Sequence, residues 1–431
     1  MGADPRLFAD ERACMMKFFF PDSHDLVDPS FDFTTERRSQ NRVRHQDDQY
    51  AHELFNEPPY SGILVSKAVV DGTEKGAGKY TTAQRQRLLR LGVREFFRLG
   101  PRFLETMGDC GAFAYVREKT PPYNVDDVIT FYLDCGFDFG VSVDHVILGF
   151  QSDESEHSGI DADMLSEYRE RQELTLELAK DFLKQHKQNK LTFTPFGVAQ
   201  GWSAKSYADS VRKLQKMGYK HIAVGGMVPL KTNDILACLQ RINDVRKRDT
   251  QLHLLGVNRC EHLLGFQKFG VTSFDSTSPL LRAFKDDHHN YYTRSYQYSA
   301  IRVPQVEGND RLGAQIRAGV VNQEKARALE QACLKGLQRL DQQGGRVERL
   351  LELLREYDLL HDGRRDRTDD YRKTLIDQPW KKCRCKVCRD LGIHVVIFRG
   401  AERNRRRGFH NLYVTYHQFH RKPTKPVIRP H

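Results

Sequence analysis

The sequence predicts an α/β fold: a closed (β/α)₈ barrel with a C-terminal zinc-binding subdomain and a helical insertion. Short apolar runs alternate with amphipathic helical patterns between Met15 and Phe284, an order typical of a parallel sheet. Three cysteines stand within the stretch CRCKVC at residues 383–388, a spacing typical of a metal site. Eight strand–helix repeats favour a closed barrel over an open doubly wound sheet, because no G-x-G-x-x-G turn follows an early strand.

The strand candidates are short apolar runs, and the clearest helix candidates are amphipathic stretches between them. The strands are expected at residues 16–20, 62–67, 102–107, 140–144, 191–196, 221–226, 251–257 and 271–275. The helices are expected at residues 81–99, 161–187 and 203–218. The last of these begins at Ser203, a suitable N-cap, and ends at Gly218, a suitable stop.

The rest of the chain does not follow the strand–helix alternation. Residues 288–306 are Tyr-rich and favour strands, and residues 322–360 form a helix pair broken at Gly344 and Gly345. We therefore expect three parts, which are a catalytic barrel over residues 1–287, Tyr-rich strands with a helical insertion over 288–365, and a basic zinc-binding subdomain with a C-terminal helix and tail over 366–431.

Positive charge is concentrated at the C-terminal end. The net charge is +11, and the residues from His361 onward carry 19 Lys and Arg against 7 Asp and Glu, which leaves −1 on the first 360 residues. A basic patch favours a polyanion, first of all nucleic acid, and a solubilising basic tail is the alternative. In the densest part we expect Arg403, Arg405, Arg406 and Arg407 to contact phosphates.

The cysteine cluster indicates zinc. The N-terminus has charges where a secretory signal would be apolar, and no apolar run is long enough to span a membrane, so we expect a cytoplasmic protein. Disulfides are rare in that compartment. Cys383, Cys385 and Cys388 would supply three ligands of a tetrahedral Zn²⁺ site, and the fourth must come from elsewhere.

Polar residues follow the predicted strands where a (β/α)₈ barrel carries its chemistry. Asp109, Asp144 and Asp275 follow the third, fourth and eighth strands. Gln200 follows the fifth strand, and a glycine pair ending at Gly226 follows the sixth. A single Asp after a strand is more often a helix N-cap than a catalyst. Three carboxylates on one face, with a glutamine and a glycine pair, nevertheless predict a common site.

The motifs GDCGAF, SVDH, FGVAQGW, AVGGM and SFDSTSP, followed by the cysteine cluster and a distant HN, resemble those of the guanine transglycosylases. These pentosyltransferases are (β/α)₈ enzymes with a zinc subdomain, and they are best known for exchanging guanine for 7-deazaguanine bases in tRNA. The resemblance covers roughly residues 100–280 and 380–415. It implies catalytic residues: Asp275 matches the nucleophile that attacks the sugar C1′, and Asp109 matches the general acid/base beside the purine.

The resemblance also implies base-binding residues. Asp144 and Gln200 match residues that hydrogen-bond the purine edge, and Gly226 matches a backbone contact to the base. Phe113 and Leu255 match positions that sandwich the ring, with plain core packing as the alternative for both.

The fourth zinc ligand implied by the resemblance is His410, in GFHNLYVTYH. His394, His417 and His420 are the alternatives. Three thiolates and one imidazole would close a structural site with no open position for catalysis.

Three departures from the tRNA enzymes favour DNA as the substrate. The family's D-S-G-G-F/Y-Q reads DCGAFAY, and the Pro-Thr-Arg-Asn-x-Arg run that grips the anticodon loop reads SPLLRAF, with only Arg282 left. The helix pair at 322–360 precedes the cysteine cluster as an insertion. This pattern resembles the DNA-guanine transglycosylases of the DpdA group, which insert 7-cyano-7-deazaguanine into DNA and must extrude the target guanine from the duplex.

The expected partners are therefore DNA rather than tRNA, a 7-deazaguanine base and other DNA-modification proteins, with no membrane. Two alternatives stay open. One is a tRNA enzyme with divergent loop recognition, and the other is a non-catalytic nucleic-acid-binding subunit, against which the presence of both Asp109 and Asp275 speaks.

Overall fold

The computed structural model describes residues 16–22, 25–73, 76–100, 104–152, 161–257, 259, 262–361 and 366–419. The described residues form two compact units. The barrel unit holds those of Met1–His24, Tyr60–Thr277 and Phe419, and the second unit holds those of Asp25–Pro59 and Ser278–Gln418. The three-part division expected from the sequence stays a prediction.

Eight parallel strands close the barrel unit, each pairing with the next and the eighth with the first. All eight predicted strands are confirmed, with boundaries shifted by a few residues. They are β1 (Lys17–Pro21), β2 (Gly62–Ser66), β3 (Glu105–Asp109), β4 (Phe139–Val141), β5 (Thr194–Ala199), β6 (His221–Val224), β7 (Gln251–Leu254) and β8 (Val271–Asp275).

The described residues form sixteen α-helices. The first eight are α1 (Ala51–Leu54), α2 (Lys67–Asp71), α3 (Thr82–Phe96), α4 (Val125–Cys135), α5 (Ala162–Gln188), α6 (Ala204–Met217), α7 (Thr232–Asn243) and α8 (Leu263–Phe266). The others are α9 (Ser278–Lys285), α10 (Asp310–Arg317), α11 (Gln323–Gln343), α12 (Glu348–His361), α13 (Thr368–Asp377), α14 (Pro379–Lys382), α15 (Lys386–Leu391) and α16 (Gly400–Phe419).

The predicted capping of α6 is confirmed. The Ser203 hydroxyl accepts a hydrogen bond from the Ser206 N–H at 3.2 Å, which satisfies a backbone donor in the first turn. Gly218 ends the helix in the left-handed region at φ +108°, where a side chain would be strained.

The barrel interior is filled by inward-facing apolar side chains, as the fold requires. This core consists of Phe19, Leu64, Met107, Val141, Phe196, Val198 and Ala223. Strand register places the candidate residues above it, because Asp109 pairs with Ser66 at the carboxyl ends of β3 and β2, and Asp275 is the last residue of β8. The core therefore forms a rigid floor beneath the strand ends.

The second unit contains the predicted helix pair, α11 and α12, which is interrupted at Gly344 (φ +72°) and Gly345 (φ +131°). The Tyr-rich segment forms short strands: Tyr291–Tyr292 pairs antiparallel with Gln297–Tyr298, and Ile301–Arg302 pairs parallel with Ile397–Phe398. No helix within the described ranges is long and apolar enough to cross a bilayer.

Candidate active site and metal centre

A cavity of about 260 Å³ opens at the carboxyl ends of the barrel strands. Its volume suits a small flat molecule, because sites for drug-sized ligands range from roughly 300 to 1,000 Å³. All seven residues expected to carry chemistry or base recognition line it, namely Asp109, Phe113, Asp144, Gln200, Gly226, Leu255 and Asp275.

Asp109 ends β3 and has the electrostatic character of a proton-transfer group. Burial raises its pKa to about 7, and the carboxylates of Asp275 and Asp144 add to this effect, while hydrogen bonds from Ser66 and Gly111 oppose it. Its Oδ1 atom is buried, and no hydrogen bond reaches that atom from the described residues. A carboxyl group with a pKa near neutrality can both give and take a proton at working pH.

Asp275 ends β8 and is held through one carboxylate oxygen. Its Oδ1 accepts a hydrogen bond from the Gly256 N–H at 2.9 Å and lies 3.2 Å from Nε2 of His253. Nδ1 of His253 lies 2.9 Å from the Ser273 hydroxyl oxygen. If Ser273 donates to Nδ1, then Nε2 carries the imidazole proton and donates it to Asp275. These hydrogen bonds hold Asp275 through Oδ1.

His253 was not identified by the sequence analysis. It is fully buried on β7, and its ring meets the edges of Phe19 and Phe196. Side chains alternate along a strand, so His253 points into the barrel like Leu255 two residues later. The signal in the sequence that could have identified His253 was a histidine at an inward-facing position of an otherwise apolar strand.

Asp144 lies beyond the end of β4 with both carboxylate oxygens engaged. Gln200 Nε2 donates to Oδ2 at 2.6 Å, and the Cys110 thiol donates to Oδ1 at 3.1 Å. Burial raises the pKa of Asp144 to about 6, and the hydrogen bonds from Cys110 and Gln200 lower it. Burial also raises the pKa of the Cys110 thiol, so the sulfur keeps its proton and acts as a donor. Cys110 is a second contact that the sequence analysis did not assign.

Gly226 brings bare backbone to the cavity. Its φ is +74°, and a Cβ atom there would lie 2.5 Å from the Ile147 carbonyl oxygen and 2.8 Å from Oε1 of Gln200.

Phe113 is 50% exposed at the cavity, which argues against a core role for it. Leu255 is partly buried and packs on the barrel core.

The predicted cysteine cluster forms in the second unit. The ligand atoms of Cys383, Cys385, Cys388 and His410 all lie within 4.8 Å of one another. Nδ1 of His410 is 3.6, 3.4 and 3.3 Å from the three sulfur atoms in that order. Tetrahedral zinc with bonds of about 2.3 Å to sulfur and 2.0–2.1 Å to nitrogen places S and N about 3.5 Å apart. These four side chains therefore fit a Zn²⁺ ion.

The surroundings of His410 favour metal binding. Its Nε2 lies 2.7 Å from the Tyr292 carbonyl oxygen, a hydrogen bond that keeps the proton on Nε2 and turns Nδ1 toward the thiols. The alternative ligands lie elsewhere: His394 contacts Arg403, and Nδ1 of His417 bonds the Tyr413 carbonyl. His420 falls outside the described residues.

The expectation that four arginines form a phosphate-binding patch is wrong for Arg403, Arg406 and Arg407. These side chains are 2%, 4% and 0% exposed, whereas Arg405 is half-buried. Arg403 pairs with Glu36 and donates to the Phe33 carbonyl oxygen.

Partners within the second unit bind the terminal nitrogens of the other two guanidinium groups. Arg406 pairs with Glu402 at 2.6 Å, and Arg407 donates to the Ala283 carbonyl at 2.6 Å and to Asn404 at 2.7 Å. The density of arginines in α16 reflects packing, because internal carboxylates and carbonyls take the place that phosphates were expected to fill.

We expect Arg407→Gln to destabilise the protein without changing how nucleic-acid binding depends on salt. The substitution leaves buried carbonyl acceptors unpaired, and each unpaired acceptor lowers the free energy of unfolding by about 1–3 kcal/mol. Thermal unfolding and a salt titration of binding test this, with Arg339→Gln, a change at an exposed arginine of α11, as the control of small effect. A stable Arg407→Gln variant with a flattened salt dependence would restore the original assignment.

The closed barrel, the strand-end carboxylates and the Cys₃His cluster together define a class, the base-exchanging pentosyltransferases. The family described as queuine tRNA-ribosyltransferase (TGT) matches residues 161–421. A DNA-guanine transglycosylase of Salmonella montevideo is 51% identical over 407 residues, which is 94% of this chain and 96% of that protein. A queuine tRNA-ribosyltransferase of Marinobacter nauticus is 30% identical over 117 residues, 27% of this chain and 31% of that protein. The chain belongs to the TGT family of guanine transglycosylases and is an enzyme of that class.

Proposed function

We propose that the protein replaces guanine in DNA by 7-cyano-7-deazaguanine through a covalent intermediate on Asp275. The observation that carries the proposal is the pair of unlike carboxylates in one small cavity. Asp109 has a pKa raised to about 7 and an unpartnered oxygen, and Asp275 is fixed through one oxygen by Gly256 and His253.

In the first half-reaction Oδ2 of Asp275 attacks C1′ of the target nucleotide. The C1′–N bond to guanine breaks as the Asp275–C1′ ester bond forms. The electron pair of the broken bond stays on guanine, and protonated Asp109 gives its proton to a ring nitrogen of the departing base. The products are a glycosyl-enzyme, free guanine and ionised Asp109.

In the second half-reaction the incoming 7-deazaguanine occupies the same cavity. Asp109 takes the proton from its ring nitrogen, and that nitrogen attacks C1′ while the ester to Asp275 breaks. Both carboxyl groups return to their starting states. Two displacements at one carbon retain its configuration, as in retaining glycoside hydrolysis.

Base selection falls to Asp144, Gln200 and Gly226. A carboxylate has about four acceptor sites, and Cys110 and Gln200 occupy two of them on Asp144. The remaining lone pairs can accept hydrogen bonds from N1–H and the 2-amino group of a guanine-like base. We assign the two faces of the ring to Phe113 and Leu255.

Two observations support DNA over tRNA. The relative that matches nearly the whole chain is named a DNA-guanine transglycosylase, whereas the tRNA enzyme matches 27% of it. The family's anticodon-gripping run is replaced by the α9 residues SPLLRAFK, where Arg282 donates to the Gln297 side chain. A tRNA substrate is the second candidate, which the family description favours.

The test is an exchange assay with radiolabelled guanine on duplex DNA and on tRNA in parallel. A second arm supplies 7-cyano-7-deazaguanine and detects it in digested nucleic acid by mass spectrometry. We expect label and modified base in DNA. Incorporation into tRNA alone would replace the DNA proposal, and binding without exchange in either would favour the non-catalytic subunit.

We expect the rate of glycosyl-enzyme formation to fall as the pH rises through about 7, because Asp109 must be protonated to act as the acid. Asp109→Asn should abolish exchange at every pH. The same variant should unfold at a higher temperature above neutral pH. A carboxyl group whose pKa is raised in the folded state lowers the stability of the protein as the pH rises from its unfolded-state pKa to its folded-state pKa. An amide does not ionise and avoids this loss.

The measurements are single-turnover kinetics and thermal unfolding across pH 5–9. A flat pH profile in the unmodified protein would remove Asp109 from the acid role. Unchanged thermal stability of Asp109→Asn would contradict the burial of its charge.

A further inference from the structure

A second depression on the barrel unit lies between α5 and α6 and has a volume of about 510 Å³. We call it the cationic cleft, and its exposed cations are Arg169, Lys205, Arg212, Lys213 and Lys216. Among the described residues that line it, Asp209 is the one carboxylate, and Asp209 pairs with Arg212. No described carboxylate forms an ion pair with the three lysines.

Helical spacing puts these charges on one face of α6. The positions 205, 209, 212, 213 and 216 follow i, i+4, i+7, i+8 and i+11, while Tyr207, Val211 and Leu214 are buried on the other face. Asp209 lies three or four residues from Lys205, Arg212 and Lys213 and offsets part of the positive charge, whereas Lys216 lies three or four residues from two like charges. The excess of positive charge on this face does not follow from overall composition, since the first 360 residues carry a net charge of −1. The lysines of this face are therefore available to an anion outside the chain.

The cleft adjoins the base cavity through the chain itself. Gln200 lines the cavity and Trp202 lines the cleft, so the Cα atoms of these two lining residues are at most about 7 Å apart. The charged face from Lys205 to Lys216 spans about 16 Å at 1.5 Å per residue. That length matches the rise of about five phosphates on one DNA strand at 3.4 Å each.

We propose that the cationic cleft binds the phosphodiester backbone of the nucleic acid beside the target nucleotide. The proposal rests on the proposed function for its substrate, and it assigns to α5 and α6 the phosphate contacts that the buried arginines of α16 do not make. Phosphate contacts stabilise binding, which offsets the few kcal/mol needed to extrude a base.

The experiment compares two triple variants of equal net charge. The test variant is Lys205→Gln, Lys213→Gln and Lys216→Gln. The control is Lys79→Gln, Lys268→Gln and Lys335→Gln, exposed lysines that do not line the cleft. Binding of a fluorescein-labelled duplex is followed by anisotropy over a range of salt concentrations, and exchange kinetics are measured on the same duplex.

For the test variant we expect the slope of log K against log salt to fall by about 2–3, at roughly 0.9 per lost phosphate contact. DNA affinity at 0.1 M salt should fall at least about tenfold, KM should rise, and kcat should stay near that of the unmodified protein. The control should keep its slope.

Equal slopes in the test variant and the unmodified protein would refute phosphate binding by the cleft, while the proposal of base exchange in DNA would stand. An equal loss in the control would also refute phosphate binding by the cleft, because general charge would then explain the effect. If the unmodified protein exchanges guanine in tRNA only, the proposed DNA function fails. The same salt titration with tRNA then tests separately whether the cleft binds phosphates.

Discussion

Asp275→Asn is expected to lower base exchange by at least about a thousandfold while the protein stays folded. An amide oxygen is not a competent nucleophile, so the ester to C1′ cannot form, and loss of a nucleophile commonly costs four orders of magnitude or more. The amide can still accept the hydrogen bond from Gly256, whose N–H lies 2.9 Å from Oδ1 in the unmodified protein. Folding and nucleic-acid binding should therefore persist.

Exchange of radiolabelled guanine measures the loss, and mass spectrometry of rapidly quenched protein tests for the covalent adduct. Asp249→Asn, a change at an exposed carboxylate remote from the cavity, is the matched control and should be fully active. Near-normal exchange by Asp275→Asn would show that Asp275 only accepts structural hydrogen bonds, and the double-displacement mechanism would be wrong.

Removal of one cluster ligand is expected to have the largest effect on stability. We expect the purified protein to hold one zinc ion per chain, and Cys388→Ser to lose the metal together with the packing of the second unit. Metal binding in small zinc domains is worth about 10–16 kcal/mol, well above the effect of an ordinary substitution. The chemistry in the barrel cavity should not be affected selectively, because Cys₃His coordination leaves no open position.

Elemental analysis and thermal unfolding test this, with Cys333→Ser as the control because Cys333 is a buried cysteine of the second unit outside the cluster. The control should retain metal and lose little stability. Freshly purified protein without metal, prepared free of chelators, would refute the zinc assignment. Full metal content in His410→Ala would remove His410 from the ligand set.

The barrel was predictable because each strand is a compact apolar run, and the site was predictable because four of the strands are followed by a conspicuous polar residue. Asp109, Asp144 and Asp275 meet in one cavity for a topological reason: parallel strands in a closed barrel share one carboxyl end. The positions of these carboxylates followed from strand order alone.

The contacts that tune those residues were not predictable in the same way. His253 reaches Asp275 across neighbouring strands, and a single buried histidine gives no signal of its partner in the sequence. The charge argument failed for Arg403 because Glu36, its compensating carboxylate, stands 367 positions earlier in the chain. Counting charge along a sequence cannot detect compensation over such separations.

The membership of residues 25–59 in the second unit has a consequence for biosynthesis. The backbone N–H of Asp28 donates to the Glu402 carboxylate, and Arg399 donates to the Glu36 carboxylate, over separations of 374 and 363 residues. A ribosome adding about 5–20 residues per second takes about 20–70 s to cover that span, so the early segment waits for its partners through most of translation. Such distant pairing slows folding and leaves the nascent chain exposed to aggregation and proteolysis. A stop codon just before α16 would therefore remove the contacts that Glu402, Arg403 and Arg406 make with residues 25–59, near the start of the protein.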